Sequence, residues 1–297
     1  MNLGLYGHTV RFEDADAGRI FREDIERPNH LVRTFGTGHV RRRYDSARYD
    51  FAGEIRRLLV SKGLVDLAAA AELDDLGRLH EVMPPDLQIL DTSEMNRASV
   101  AFYDTDADFT ACYHRFVRHE LMPTLDDDLL FQATPTIRFH FPHQKGFDWK
   151  PRYHTDIMLG HPPQEINVWL GATRVFGTNT MALAPLGPSA GLLRELDYDF
   201  DALALRIQTD LPFADAVAAT TAPLEMDYGE YMMFDPRCLH ATQYNTTDRT
   251  RISLDIRVLP LADRTAMRMI YRGTGRRKMA FDRGAYFDAR LASELTV

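Results

Sequence analysis

The chain has 297 residues, of which 45% are hydrophobic and 26% charged, and a formal net charge of −8 at pH 7. Its length allows a large buried core, and its composition is that of an ordinary globular protein. The acidic balance, without clustered Lys and Arg, argues against nucleic acid as a partner, and no apolar run of about 18 residues is present to span a membrane.

The N-terminal stretch MNLGLYGHTVRFEDADAGRI lacks the basic-then-apolar order of a signal peptide. Two cysteines, Cys112 and Cys238, form neither a disulfide framework nor a zinc-ligand spacing. Reduced thiols in a cytoplasmic protein are the simplest expectation. No internal repeat, low-complexity tract or flexible linker interrupts the chain.

The first third reads as mainly helical. Ser46 to Lys62 places Phe51, Ile55, Leu58 and Leu59 at helical spacing, with Gly63 as a stop. Asp66 to Met83 is rich in Ala, Leu and Glu and predicts a second helix. A third is expected from Asp106 to Met122, carrying Phe109, Cys112, Tyr113 and Phe116 on one side and ended by Pro123.

From about residue 133 the period changes to two. Strands are expected at Thr136–Phe141, Ile166–Leu170, Asn179–Ala184, Tyr231–Phe234 and Arg251–Leu259, with a helical segment between Ala190 and Val217. Short strands with Pro and Gly turns fit a double-sheet jelly roll. The expected class is therefore mainly β with helical additions, in a single domain. Residues 1–130 would give helical support, 131–260 the β core, and 261–297 an extension that folds back over the barrel.

The chemistry concentrates at His154-Thr155-Asp156, read together with His240 and Arg251. Side chains at i and i+2 of a strand share a face, so His154 and Asp156 would aim together into a barrel mouth. His240, after Asp235-Pro236, would arrive from a distant strand. Two imidazoles and one carboxylate hold Fe(II) on one face of an octahedron and leave the other positions open, the arrangement that oxygen activation needs. Arg251 lies eleven residues beyond His240, on a face of the longest strand shared with Ser253 and Arg257. Arg251 and Ser253 could hold the distal carboxylate of 2-oxoglutarate through an ion pair and a hydroxyl donor.

With these residues in view, the sequence resembles the phytanoyl-CoA-dioxygenase-like superfamily of Fe(II)/2-oxoglutarate oxygenases. It is most similar to bacterial members of aminoglycoside antibiotic pathways, of the streptomycin-cluster and hygromycin orthoester-forming types. The resemblance covers roughly residues 130 to 260 and rests on HTDIMLGHPPQEINVWL, NTMALAPLGPS and LHATQYNTTDRTRISLDIRV. It implies a double-stranded β-helix (cupin-like) with a helical N-terminal region, iron on His154, Asp156 and His240, and 2-oxoglutarate on Arg251. It adds Thr242 as a further co-substrate contact and Trp169 as an aromatic wall. Pro185-Leu186-Gly187-Pro188-Ser189 replaces the family's usual Pro-Gly-Ser-His. Retention of Asp156 points to hydroxylation or oxidative ring closure, since halogenating relatives carry a small residue there.

The expected substrate is a polar small molecule, an amine-bearing sugar intermediate. The loop from Phe141 to Lys150 precedes the first ligands, and its His143, Asp148 and Trp149 suit such a ring. Arg138 and His140 share a face of the preceding strand and could look into the cavity, and Glu165 to Asn167 are ambiguous in the same way. The assembly is compatible with a homodimer. A non-redox metal-dependent isomerase or sugar-binding protein would share the barrel, as would an oxygenase acting on protein side chains. Arg251 discriminates against the non-redox pair, because neither needs a cation beside the metal.

Overall fold

A computed structural model describes residues 15–73, 75–91, 95–144, 151–273 and 279–297. Among the described residues nine strands, all antiparallel, form two sheets. They are β1 (His39–Arg43), β2 (Leu129–Phe131), β3 (Thr136–His140), β4 (Ile166–Gly171), β5 (Met181–Leu183), β6 (Ala222–Pro223), β7 (Glu230–Phe234), β8 (His240–Thr242) and β9 (Arg251–Pro260). The larger sheet runs β1-β7-β4-β9-β2, with β3 also on β9, and the smaller runs β6-β5-β8.

Alternation along the strands explains how the sheets are covered. In the large sheet Val168, Leu170, Tyr231, Met233, Ile252, Leu254 and Ile256 join Phe51, Ile55, Leu58, Phe109 and Phe116 of the N-terminal helices in one core. Each such fully buried side chain contributes about 1.5–3 kcal/mol. The alternate residues Trp169, Met232 and Phe234 turn the other way and meet Met181 and Leu183 of the small sheet. The outer residues of the small sheet, Ala182 and Ala241, pack on Leu193, Phe200, Leu203 and Ile207. These belong to helices Leu186–Glu195 and Phe200–Thr209, in the region expected to be helical. The order is helices, six strands, three strands, helices, and the space between the sheets is the interior.

Helices carry more residues than strands, so the chain is not mainly β by content. The sheets are short and apolar on their outer faces, and helices must cover both. Strand β1 comes from the region expected to be helical and pairs with β7 through His39 opposite Phe234.

Local side-chain bonds shift the helix boundaries. The first expected helix begins only at Phe51, because the Asp45 carboxylate accepts from the backbone N–H of Ala47 and Arg48. Such bonds compete with helix formation. Asp50 then caps the helix by accepting from Gly53 N–H. The segment from Asp66 to Met83 is two elements, a helix over Leu67–Glu72 and a 3-10 turn over Leu76–Glu81 that Asp75 caps at Gly77 N–H. Pro123 does not end the third helix. The turn widens to π geometry over Val117–Leu121, and Pro123 enters the first turn of Met122–Leu125, where its missing N–H costs nothing. Among the described residues no helix is long and apolar enough to cross a membrane.

Candidate metal centre

His154, Asp156 and His240 converge. One potential ligand atom from each lies within 4.8 Å of the others. Asp156 Oδ1 is 3.6 Å from His240 Nε2 and 3.9 Å from His154 Nε2.

The backbone explains the convergence. His154 and His240 form an isolated antiparallel bridge, His154 N–H to the His240 carbonyl at 3.0 Å and the reverse at 2.9 Å. Thr155 is extended, so the side chains of 154 and 156 share a face, but Asp156 is not in a strand. It opens a 3-10 turn over Asp156–Leu159, and its N–H donates to the Pro236 carbonyl at 2.9 Å. The strand expected at His154–Asp156 is therefore only a bridge and a turn, stitched to the β7–β8 connection. Gly160 closes that turn at φ +87°, with the Arg272 carbonyl where a Cβ would lie. The C-terminal segment thus packs directly on the ligand-bearing loop.

The ring nitrogens are assigned by their partners. His154 Nδ1–H donates to the Arg152 carbonyl at 2.9 Å and His240 Nδ1–H to the Cys238 carbonyl at 3.0 Å. Both Nε2 atoms consequently face Asp156 Oδ1. Such outer hydrogen bonds are what orient metal-binding histidines.

Arg257 holds the other oxygen of Asp156, with Nε at 3.1 Å and Nη2 at 2.9 Å from Oδ2. Burial alone would raise the Asp156 carboxyl. Arg257, His240, His161 and His154 together override it and keep the group well below the usual carboxylate range. Asp156 is ionised, with one oxygen braced and one offered. Beyond it, His161 Nδ1 meets Glu165 Oε1 at 2.8 Å, and Arg257 Nε is 3.7 Å from Glu165. Burial raises the Glu165 carboxyl despite His161 and Arg257.

Strand β9 carries the interior away from this cluster. Arg251, Ser253, Asp255 and Arg257 alternate with the core residues Ile252, Leu254 and Ile256, so all four face inward. Arg251 is 3% exposed, and its Nε and Nη1 find no partner among the described residues; Ser253 Oγ is likewise alone. Burial pulls the Arg251 guanidinium down to about 10, which leaves it protonated at neutral pH. Its Cζ lies 5.9 Å from the Trp169 ring centroid. His140 sits opposite Arg251 and bonds through Nε2 to the Gln243 carbonyl at 2.8 Å. Burial, then Arg251, keeps its pKa well below the ordinary imidazole value. β8 therefore leads from His240 to Gln243 beside the Arg251 end, so both groups border one interior.

The remaining candidates are distributed around that interior. Thr242 shares the face of His240 on β8, opposite Met181, and is half-buried. Arg138 lies opposite Ser253, but its Nε is spent on Asp255 Oδ2 at 2.7 Å. His143 is exposed at φ +47° with its ring 6.5 Å from Tyr244. Asp148 and Trp149 lie outside the described residues.

The bracing role of Arg257 and the His161–Glu165 pair were not assigned from the sequence, and Glu165 to Asn167 were read only as ambiguous candidates for facing the cavity. The alternating polar face of RISLDIRVL was the signal for Arg257. A buried Asn in the apolar run INVWL was the signal for Asn167.

Arg257 gives a first prediction. Arg257→Gln should weaken divalent-metal affinity by about 10–100-fold, the usual effect of losing an outer partner of a ligand. Metal titration by calorimetry measures it, and unaltered affinity would show that Asp156 needs no brace.

No family model matches the chain. It is 23% identical over 223 residues to the streptomycin biosynthesis protein StrG of Streptomyces griseus, covering 75% of this chain and 85% of that protein. Among solved structures, a non-heme monooxygenase–nickel complex, ThoJ, is 16% identical with a TM-score of 0.43, covering 78% of this chain and 77% of that one. The non-heme α-ketoglutarate-dependent epimerase SnoN of nogalamycin biosynthesis is 13% identical with a TM-score of 0.44, covering 89% and 88%. EctD from S. alaskensis with bound Fe is 12% identical with a TM-score of 0.42, covering 86% and 81%. Scores of this size do not establish a shared architecture, so the chemistry below rests on this chain's own residues.

Proposed function

We propose that the chain is an Fe(II)/2-oxoglutarate-dependent oxygenase of the phytanoyl-CoA-dioxygenase-like superfamily, built on a double-stranded β-helix. The observation that carries this reading is Arg251, a buried cation whose Nε and Nη1 have no partner among the described residues, on the same interior as a His/Asp/His cluster. A buried, unmatched guanidinium costs several kcal/mol unless an anion reaches it. A 2-oxoacid supplies that anion. A non-redox isomerase or sugar-binding protein gives no reason for it.

The residues fit the groups they would hold. Two imidazole Nε2 atoms and one carboxylate oxygen are the donor set preferred by Fe(II), with open positions left over. Arg251 and Ser253 would take the distal carboxylate of 2-oxoglutarate, with Thr242, Trp169 and Arg138 as neighbouring contacts. When bound, iron and 2-oxoglutarate supply the activation of O2 for oxidation of a C–H bond, with succinate and CO2 released. The protein positions the substrate and keeps water away. Phe234, its ring 5.3 Å from His240, and Trp169, Met181, Leu183 and Met232 form the apolar wall for that purpose.

For substrate we propose an aminoglycoside or related amine-bearing sugar of antibiotic biosynthesis, hydroxylated or oxidatively cyclised in the cytoplasm. The similarity to a streptomycin biosynthesis protein supports this choice. His143, Asp148 and Trp149 are the proposed substrate contacts. The test is incubation of the iron-loaded protein with 2-oxoglutarate, O2 and a panel of aminoglycoside intermediates. Succinate release, with a product that gains one oxygen or loses two hydrogens, is expected. No succinate with any substrate would remove the oxygenase reading.

A further inference from the structure

We infer that Asn167 hydrogen-bonds the metal-chelating carboxylate of the 2-oxoacid through its side-chain amide; the inference rests on the function proposed above. Asn167 lies in the middle of β4, paired on both sides, and is 1% exposed. Neither its Nδ2 nor its Oδ1 finds a partner among the described residues. Buried polar atoms are nearly always bonded, and a lone buried amide costs folding free energy. A valine or isoleucine would fill a central strand position without that cost. The amide therefore calls for a ligand.

Its position identifies which part of the ligand. Asn167 faces inward opposite Arg257 on β9 and Phe234 on β7. Arg257 grips the metal-ligand candidate Asp156, and Phe234 lies edge-on to His240. Asn167 is thus between the direct neighbours of two metal-ligand candidates. Trp169, two residues along the same face and about 7 Å away by strand rise, stands under Arg251. The polar groups of β4 and β9 consequently line two ends of one interior. Arg251 and Ser253 take the far carboxylate. At the near end Arg257 already bonds Asp156 through Nε and Nη2, which leaves the Asn167 Nδ2–H groups as uncommitted donors for the near carboxylate, whose oxygens accept.

The test is anaerobic titration of Fe(II)-loaded protein with 2-oxoglutarate, for wild type, Asn167→Leu and Asn167→Val. Binding is followed by calorimetry and by the visible absorption of the iron–2-oxoacid chelate. Thermal unfolding without 2-oxoglutarate is measured in parallel. The dissociation constant should rise roughly tenfold to hundredfold in both variants, the effect of losing a hydrogen bond to a charged group. Fe(II) affinity should be unchanged, and the unfolding midpoint without co-substrate unchanged or higher, because an unpartnered amide has been removed. Equal 2-oxoglutarate affinity in wild type and variants overturns the inference while leaving the proposed function intact. A lower midpoint in both variants also overturns it, since the amide would then serve the fold. Failure of wild type itself to bind 2-oxoglutarate would instead remove the proposed function, and this inference with it.

Discussion

Alanine at His154, Asp156 or His240 is expected to abolish stoichiometric Fe(II) binding and 2-oxoglutarate turnover, a larger loss than the 10–100-fold that follows removal of an outer partner. The three variants should differ in stability. His154→Ala and His240→Ala remove side chains whose Nδ1–H bonds the backbone and whose Nε2 is exposed to the interior, a cost of about 1 kcal/mol. Asp156→Ala takes from buried Arg257 its hydrogen-bonded carboxylate and leaves it only the longer 3.7 Å approach to Glu165, a loss of up to about 3–5 kcal/mol. Denaturant unfolding of the metal-free proteins, with calorimetric iron titration, separates the two effects. Retained iron binding in any variant removes that residue from the centre. Equal stability in all three would show that the Asp156–Arg257 pair does not hold the loop.

Arg251→Ala should raise the 2-oxoglutarate requirement by about 10–100-fold, since a sheltered bond to a charged partner contributes about 1.5–3 kcal/mol. The same change should leave the stability of the co-substrate-free protein about unchanged, because lost packing on Trp169 offsets relief of a buried cation. Steady-state KM for 2-oxoglutarate and unfolding midpoints without it are the measurements. An unchanged KM would shift the anchor to Arg138, the other guanidinium on that face, because Arg257 is bound to Asp156 and Arg249 pairs with Asp75.

Legibility in the sequence followed the range of the interactions. The convergence of His154, Asp156 and His240 could be read because a short motif and a turn carry them, and the shared inward face of Arg251 and Ser253 because strand alternation is local. The structure changed the reason for the first pair, which sits on a bridge and a turn instead of a strand. Asn167 and Arg257 acquire meaning only when β4 is laid against β9, and no local pattern reports that pairing. The helices blurred for the opposite reason. Asp45, Asp75 and the π turn before Pro123 act through single hydrogen bonds that a periodicity count does not register. Helical content was underestimated because the strands gave the stronger motifs.

One strand, β9, supplies the proposed co-substrate anchor and the brace of a metal ligand, and it is held by β2, β3 and β4. Loss or gain of a single residue within it would turn every side chain on one side of the change to the opposite face. Either Arg251 or Arg257 would then be driven among the N-terminal helices, and an isoleucine beside it would enter the space between the sheets. The length of this segment is therefore as constrained as its residues, since one deletion would part the proposed co-substrate anchor from the proposed metal brace.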